Sequence, residues 1–309
     1  LGVKYVAKKG KVLVGFRERS SPFITEIDRC PVLDPRVGSK LGKIADLVHD
    51  LSIRDRLPQI EVACSDEAVA LVFRILEDLN AEDLERFNRF AQEEGFLVLL
   101  QRGGPDTVVP LDPNVPVDLF YKIPDASVDF TFKATDFTQV NSAINQKMIA
   151  RVMALLDPQP NDVILDLFCW IGNFTLPLAK MADRVVGVEG SREAVERAEL
   201  NAERNNLRNA TFHVADLSKS VDDAPWANQR FDKILLDPSR AGALEILERV
   251  PGWGAARIVY VSCNPSTLAR DAGVLVHDHG YHLQGAGVMD MFPQTAHVES
   301  LALFEKTDR

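Results

Sequence analysis

Cysteine is scarce in this 309-residue chain, and the four cysteines that occur lie far apart without a CxxC pair. This spacing argues against a disulfide framework and a self-contained zinc site, and it favours a reducing, cytoplasmic setting. No apolar run reaches the length of a membrane-spanning helix, so we expect no membrane insertion. The chain does not begin with methionine and shows no secretion leader, so we expect a fragment or a processed product.

Excess positive charge is also lacking, because the net charge is −10. A protein that coats nucleic acid non-specifically needs the opposite balance. The charge is uneven, however: residues 1–43 hold ten Lys and Arg against four Asp and Glu, a net of +6, which leaves −16 for the remainder. A polyanionic partner, if there is one, should therefore contact the amino-terminal segment.

Two domains are expected from the length and from a change of composition in the middle of the chain. Residues 103–129 are rich in Gly, Pro and Asp, which predicts loops before a boundary near Asp136. Residues 1–136 have the pattern of a small α/β domain without phosphate-loop or catalytic motifs. The elements predicted there are strands at 11–17 and 96–100 and helices at 35–51 and 81–94, with a short apolar run at 68–76.

Residues 137–309 have a more regular pattern, in which strands alternate with helices after a predicted helix at 142–156. This alternation predicts an α/β domain with a parallel, doubly wound sheet. Two closing strands are close enough in sequence to pair as an antiparallel edge. The predicted parallel strands are 163–168, 184–188, 210–214, 233–236 and 258–261, and the closing strands are 281–289 and 298–306.

The glycine pattern of a dinucleotide site is missing after the first of these strands, because Trp170 fills a place where such a site needs glycine. Acidic residues follow the strands instead. Glu189, Asp216 and Asp237 end three consecutive strands, so they should meet at one edge of the sheet. Carboxylates there suit a nucleoside ligand without phosphates, and S-adenosylmethionine, with its ribose and cationic sulfonium, is such a ligand. Each acid alone is more often a helix cap or a surface charge.

One cysteine has a position that favours chemistry. The stretch from Ile258 to Asp271 (IVYVSCNPSTLARD) predicts a buried strand, a turn and a helix, with Cys263 at the carboxyl end of the strand. Ligands bind at that edge of open α/β sheets. The thiol is therefore a candidate nucleophile, although free cysteine is also among the residue types most often buried for packing.

Five motifs resemble, in order, those of the RNA uracil-5-methyltransferases. The similarity is greatest to the branch of that family that modifies 23S ribosomal RNA, and it covers residues 137–306 with specific motifs and residues 1–136 more weakly. The motifs are FTQVN at 137–141, DLFCWIGNF at 166–174, DPSRAG at 237–242, VSCNPSTLARD at 261–271 and DMFPQTAHVE at 290–299.

The resemblance implies a Rossmann-like, S-adenosylmethionine-dependent methyltransferase domain at 137–309 and a smaller RNA-contacting α/β domain at 1–136. It implies methylation of C5 of a specific uridine in RNA, with 23S rRNA as the first candidate, Cys263 as the nucleophile and Glu299 as the base. We expect a cytoplasmic monomer whose partner is RNA. The residues implied to hold the cofactor are Gln139, Phe168, Asn173, Glu189, Asp216 and Asp237.

The chain departs from the family pattern in two places. Trp170 stands where the family usually has glycine, which bears on the fit of the methionine moiety. The oligonucleotide-binding barrel and the first three cysteines of the family's [4Fe-4S] site are absent, which leaves Cys30 as a possible fourth ligand. We expect no cluster to assemble in this fragment, and we expect the fragment to bind S-adenosylmethionine but to methylate RNA poorly.

Two alternatives remain open from the sequence. One is methylation of a tRNA uridine, and the other is a non-catalytic RNA-binding module that retains the cofactor fold. The second predicts no need for Cys263 and Glu299 together, and it would make Glu299 an exposed residue paired across a hairpin. The roles of Asp237 and Arg240 are also open, since both suit the uracil edge or a phosphate as well as the cofactor.

Overall fold

The computed structural model describes residues 1–306, and the chain divides into two compact units. One unit comprises residues 1–121 and 131–136, and the other comprises residues 122–130 and the chain from Phe137 onward. Residues 307–309, which belong to the predicted catalytic domain, lie outside the described part. Within residues 1–306 no helix is both long and apolar enough to cross a membrane.

The first unit is built on a mixed six-stranded sheet. Its elements are the strands β1 (Gly2–Val6), β2 (Lys11–Gly15), β3 (Gln59–Cys64), β4 (Val69–Arg74), β5 (Leu97–Gln101) and β6 (Val108–Pro110) and the helices α1 (Pro35–Gly38), α2 (Leu41–Asp50) and α3 (Ala81–Glu94). The strand order is β2-β1-β3-β4-β5-β6, with only β4 and β5 parallel. The two predicted strands are confirmed as β2 and β5, the apolar run at 68–76 forms β4, and β1 and β3 are strands that the pattern did not predict.

The predicted single helix at 35–51 is wrong, because the chain breaks it between α1 and α2. The carbonyl of Gly38 accepts a hydrogen bond from the Cys30 amide at 2.8 Å, and the amide of Gly42 donates to the Asp28 carbonyl at 3.2 Å. A continuous helix would join Gly38 and Gly42 to each other. Both groups bond instead to the segment that contains Cys30. A side chain at Gly38 would also overlap the Cys30 carbonyl.

Helix α3 forms as predicted, and its ends explain why. The side chain of Asn80 accepts a hydrogen bond from the Asp83 amide at 2.8 Å, and Gly95 ends the helix in the left-handed conformation. Phe87 and Phe90 project from one face into the core of this unit, where Phe87 also packs edge-on against a strand residue of β4.

The loops predicted at 103–129 are only partly correct. This segment includes β6 and a hairpin strand, β7 (Leu119–Ile123), and it ends at the start of β8 (Val128–Phe132), which pairs with β7. Alternate residues of β8 are buried. The sequence did not reveal this short alternation of buried residues, because the Gly and Pro residues on either side dominate the composition of any window of loop length.

The second unit contains a seven-stranded sheet. Its further elements are α4 (Ser142–Leu156), β9 (Val163–Leu167), α5 (Thr175–Ala179), β10 (Arg184–Glu189), α6 (Arg192–Arg204), β11 (Ala210–Val214), β12 (Lys233–Leu236), α7 (Leu244–Leu247), α8 (Val250–Trp253), β13 (Arg257–Ser262), α9 (Pro265–Gly273), β14 (Tyr281–Met289) and β15 (Glu299–Lys306). The strand order is β11-β10-β9-β12-β13-β15-β14. The first five of these strands are parallel, and β15 runs antiparallel to β13 and β14.

The predicted α/β fold, its five parallel strands, helix α4 and the antiparallel closing pair are confirmed. The central strands β9, β12 and β13 are almost entirely buried apolar runs, as expected where helices cover both faces of a parallel sheet. From β9 the order runs one way through β10 and the other way through β12. This reversal opens a crevice at the carboxyl ends of β9 and β12, where open α/β sheets bind ligands.

Candidate active site

Cys263 lies in the turn between β13 and α9, at the carboxyl end of a buried strand. The turn is fixed locally, because Asn264 caps α9 by accepting a hydrogen bond from the Ser266 amide at 3.1 Å and Pro265 occupies the first helical position. The hydroxyl of Ser262 accepts a further hydrogen bond from the Asn264 amide at 3.1 Å. The thiol is therefore half-buried at the open edge of the sheet, where the sequence predicted it.

Glu299 faces this turn from the neighbouring strand. The pairing of β13 with β15 ends at Ser262 opposite Ser300, and the Ser300 hydroxyl donates to the Ser262 carbonyl at 2.9 Å. One more step in this antiparallel register brings Glu299 across from Cys263. Glu299 is only 5% exposed, so it is not the exposed hairpin residue that the sequence left open.

The surroundings raise the pKa of both groups. Burial is the main cause for Cys263, the charges of Glu299 and Asp237 also raise the thiol pKa, and Arg240 lowers it. Burial likewise raises the pKa of Glu299, again opposed by Arg240. The thiol is therefore protonated at neutral pH, and the Glu299 carboxyl is shifted toward the range in which a general base works.

Asp237 follows β12 and lies at the point where the strand order reverses. Its amide donates to the Leu167 carbonyl at 3.2 Å. Burial raises the pKa of its carboxyl well above the ordinary value, and the charges of Asp166, Glu299 and Glu189 raise it further. Asp237 therefore interacts both with Glu299, across from Cys263, and with two acids of β9 and β10.

Arg240 belongs to the same turn, and its guanidinium lies 2.7 Å from Nδ1 of His297. The His297 ring packs edge-on against Phe292, with 5.6 Å between the ring centroids. The sequence analysis did not assign a role to His297. Its position two residues before Glu299, in the same motif, was the signal that could have identified it.

The backbone after β9 is unusual in three places, because Phe168, Trp170 and Gly172 have φ values of 66°, 51° and 89°. Positive φ is unfavourable for large side chains and has to be held by neighbouring contacts. The Trp170 amide lies 3.4 Å from Oε2 of Glu189, and the Trp170 ring stacks on Phe137 with 4.5 Å between centroids. These contacts hold the turn over Glu189, which ends β10 and is 8% exposed.

Asp166 is a site residue to which the sequence analysis gave no role. It is fully buried in β9, and its Oδ2 accepts a hydrogen bond from the Thr175 hydroxyl at 2.5 Å. Its Oδ1 has no hydrogen-bond partner among the described residues. Burial raises the pKa of this carboxyl to about 7, and the charge of Glu189 adds to the effect. The acid inside the apolar run VILDL was the signal that the sequence offered. Burial of a carboxyl group costs free energy, so an acid in such a run indicates a role for it.

The other predicted cofactor residues differ in their settings. Asn173 exchanges two hydrogen bonds with Asn145 of α4, at 3.0 and 3.1 Å, and so links the loop after β9 to that helix. Gln139 is half-buried just before α4. Asp216 is exposed beyond β11, and hydrogen bonds from Lys219 and Ser218 lower its pKa to about 2.

Cys30 belongs to the first unit and is half-buried in the segment before α1, where its amide donates to the Gly38 carbonyl. Among residues 1–306 the structure shows no group of three or more His, Cys, Asp or Glu side chains placed to hold a metal ion. A cluster ligated by Cys30 would need further ligands from outside these residues.

The acids at the crevice fit the cofactor that the sequence predicted. Asp166, Glu189 and Asp237 lie at or near the carboxyl ends of adjacent strands, and within residues 1–306 one of their six carboxylate oxygens, Asp166 Oδ1, is buried without a hydrogen-bond partner. A cationic nucleoside would relieve the mutual repulsion of these acids. Together with the strand order and the absence of a glycine-rich phosphate loop, this site defines the fold class: an S-adenosylmethionine-dependent methyltransferase fold with a smaller α/β unit.

Comparison with known sequences gives the family. A family model described as tRNA (uracil-5-)-methyltransferase matches residues 17–307, and the chain belongs to this family. It is 58% identical over 306 residues to the 23S rRNA (uracil(1939)-C(5))-methyltransferase RlmD of Methylococcus capsulatus, and 55% identical to the enzyme of the same name from Alkalilimnicola ehrlichii. In both cases the match covers 99% of this chain and 69% of the relative.

Among solved structures, the chain is similar to the tRNA (uracil-54, C5)-methyltransferase of Pyrococcus abyssi in complex with S-adenosyl-L-homocysteine. The TM-score is 0.73 at 23% identity, and the match covers 98% of this chain and 74% of the other. At this identity the likeness supports the fold.

Proposed function

We propose that this protein methylates C5 of a uridine in 23S rRNA with S-adenosylmethionine as the methyl donor, through a covalent adduct between Cys263 and C6 of the uracil. The uridine is the one that corresponds to uracil 1939 in the names of its relatives. The observation that carries the proposal is the placement of Cys263 across from Glu299, beside Asp237, at the edge of a sheet with methyltransferase topology.

The first step belongs to Cys263. Uracil C5 is a weak nucleophile, but when the sulfur bonds to C6 the ring electrons move to C5 and O4 as an enolate. The raised pKa of Cys263 means that the thiol must lose its proton as the base docks, and the acids beside it are shifted toward accepting one. Arg240, which lowers the thiol pKa, favours the charged form.

The side chains at the crevice are suited to bind the cofactor. S-adenosylmethionine supplies an electrophilic methyl group when it is bound. Glu189 would accept hydrogen bonds from the ribose, and Asp237 and Asp166 would face its positive charge. Gln139, Phe168, Asn173 and Asp216 complete the proposed binding residues.

The last step belongs to Glu299. Once C5 carries both a methyl group and a hydrogen, the Glu299 carboxylate removes that hydrogen as a proton. The electrons of the broken C–H bond restore the C5–C6 double bond, and the C6–S bond breaks to release the thiolate. The buried position of Glu299 and its raised pKa suit this role.

The RNA partner requires two further features. The target base has to leave its stack to reach Cys263, which costs least in a loop. The positively charged residues of the first 43 positions belong to the first unit and are the proposed phosphate contacts. We extend the proposal to a monomer in the cytoplasm, a reducing compartment that suits its four unpaired cysteines.

A tRNA uridine is the alternative substrate, and a non-catalytic module is the alternative function. The high identity to relatives named for 23S rRNA favours the ribosomal substrate, and the placement of Glu299 across from Cys263, one step beyond the paired residues of β13 and β15, favours catalysis. A module without chemistry would have no use for a nucleophile and a buried acid at one position of the sheet edge.

The test is mass spectrometry of RNA from cells that lack the gene. We expect one 5-methyluridine to be missing from 23S rRNA and to return with the wild-type gene or with Cys64→Ala, a cysteine outside the site, but not with Cys263→Ala. A 23S rRNA that keeps all its 5-methyluridine would refute the proposal, and a loss confined to tRNA would select the alternative substrate.

A further inference from the structure

Another buried acid of the second unit, Asp271 of α9, has no part in the chemistry proposed above. It is fully buried, and its carboxylate accepts three hydrogen bonds and forms one ion pair. Oδ2 accepts one hydrogen bond from the Tyr260 hydroxyl at 2.6 Å and one from the Ala243 amide at 2.8 Å. Oδ1 accepts one from Nε of Arg270 at 2.8 Å, and it lies 2.7 Å from a terminal nitrogen of the same guanidinium. A buried carboxylate with these partners is compensated on both oxygens, which makes it a rigid anchor.

The anchor holds the turn that follows β12. The Ala243 amide is bound to Asp271 itself, and the Arg270 guanidinium also donates to the Ala241 carbonyl at 2.9 Å. The amide of the Asn264 side chain donates to the Arg240 carbonyl at 3.0 Å. The backbone groups of Arg240, Ala241 and Ala243 are therefore hydrogen-bonded to side chains of α9 or of its capping residue, Asn264.

Gly242 shows how closely the turn is fitted to this anchor. Its φ is +83°, a conformation that favours glycine, and a Cβ there would lie 2.6 Å from Oδ2 of Asp271 and 2.5 Å from the Arg270 guanidinium. The turn and α9 thus meet without space for a side chain.

Both ends of this network flank Cys263. Tyr260 lies three residues before it in β13, and Asn264 follows it directly. The turn on the other side carries the Arg240 side chain, which is exposed and contacts His297. The charged and titratable groups that act on Cys263 are Glu299 from β15 and Asp237 and Arg240 from the turn after β12.

We propose that Asp271 is a positioning residue, which fixes the turn bearing Arg240 relative to Cys263 and so keeps the positive charge of Arg240 within electrostatic reach of the thiol. The assignment rests on the proposed role of Cys263 as the nucleophile. Asp271 touches neither the thiol nor Arg240, and it acts through Ala243, through Arg270 and through the shared backbone of α9.

Substitution of Asp271 by Asn keeps the shape of the side chain but removes its charge. An amide nitrogen that faces Arg270 cannot accept its hydrogen bond, so Arg270 loses its charged partner and its tie to the Ala241 carbonyl is no longer held in place. Arg240 then spends less time near Cys263, and the thiol is harder to ionise. We expect the midpoint of the pH dependence of Cys263 alkylation to rise by about half a unit or more.

The measurement is the rate of iodoacetamide alkylation of the whole protein between pH 6 and 10, followed at the Cys263 peptide by mass spectrometry. The thiolate is the reacting form, and it displaces iodide to form the S–C bond. Reading the individual peptide separates Cys263 from the other three cysteines. The assay needs neither RNA nor methyl transfer, so its failure is distinguishable from failure of the proposed function.

A double-mutant cycle separates positioning from simple loss of stability. Arg240→Gln should raise the alkylation midpoint, and adding Asp271→Asn to it should produce no further rise, because the two act through one group. The matched control is Asp83→Asn, the same change at an equally buried aspartate of the first unit, which accepts hydrogen bonds from Ser52. It should leave the midpoint unchanged.

Three outcomes would overturn the proposal. The alkylation midpoint is unchanged in Asp271→Asn, or it is unchanged in Arg240→Gln. In the third outcome, the midpoint shift of the double variant equals the sum of the two single shifts. If Asp271→Asn does not fold, Arg270→Ala replaces it. That substitution removes the tie to Ala241 while Tyr260 and Ala243 still donate to Asp271, so the midpoint should again rise. No rise in that variant would be equally contrary to the proposal.

Discussion

Asp166 makes the stability of the catalytic unit depend on pH. Burial raises the pKa of this carboxyl from an ordinary value of 3.8 to about 7. The folded state therefore keeps a proton that the unfolded chain releases above about pH 4. Between these two pKa values the folded state binds more protons than the unfolded state, so the free energy of unfolding falls as the pH rises, until it levels off above the folded pKa.

The size of the effect follows from the shift. A difference of about three pKa units corresponds to on the order of 4 kcal/mol, at roughly 1.4 kcal/mol per unit. This is an upper limit, because Asp166 interacts with Glu189 and Asp237, whose own protonation adjusts when Asp166 is ionised. We expect about 2 kcal/mol of the fall to depend on Asp166 between pH 5 and 8.

Asp166→Asn removes the titration and keeps the hydrogen bond from Thr175. Urea unfolding at pH 5 and pH 8 should show that the wild type loses stability across this interval and that the variant loses about 2 kcal/mol less. Asp83→Asn is the control, and it should retain the loss that depends on Asp166. If Asp166→Asn loses as much stability as the wild type between the two pH values, the raised pKa of Asp166 is wrong.

Two further predictions concern the site and the turn beside it. Glu299→Gln should still permit thiol addition and methyl transfer but not proton removal, so methylated RNA should accumulate covalently on Cys263 and appear as a shifted band in a denaturing gel; turnover near the wild-type rate would exclude Glu299 as the base. Gly242→Ala should lower the free energy of unfolding by about 1–3 kcal/mol, because a Cβ there meets buried atoms at a positive φ. Gly273→Ala, where nothing lies within 4 Å of the added Cβ, should be neutral or stabilising, and equal losses in both variants would contradict the packing argument.

The sequence was sufficient for the fold of the second unit because its strands are apolar runs of the right length between helices with clear caps. Helix α4 and strands β11 and β12 have the predicted bounds. The first unit was harder to predict. The break between α1 and α2 depends on hydrogen bonds from residues 28–30, which no periodicity within the helix reveals.

The site was predictable to the extent that it depends on strand ends. Cys263 and Glu189 lie where the alternation placed them, since parallel strands carry the residues after them to one edge. The placement of Glu299 across from Cys263 depends on the register of an antiparallel pair, and only the resemblance to a known family had linked these residues. Asp271 and His297 were missed because their partners, Ala243 and Arg240, are distant in sequence.

The most direct test of the proposed chemistry is covalent trapping. RNA that contains 5-fluorouridine at the target position is incubated with the protein and S-adenosylmethionine, because fluorine cannot leave C5 as a proton does. We expect a stable adduct whose RNA-linked peptide contains Cys263, and none with Cys263→Ala. An adduct that persists in Cys263→Ala, or that maps to Cys169, would contradict the assignment of the nucleophile on which the mechanism depends.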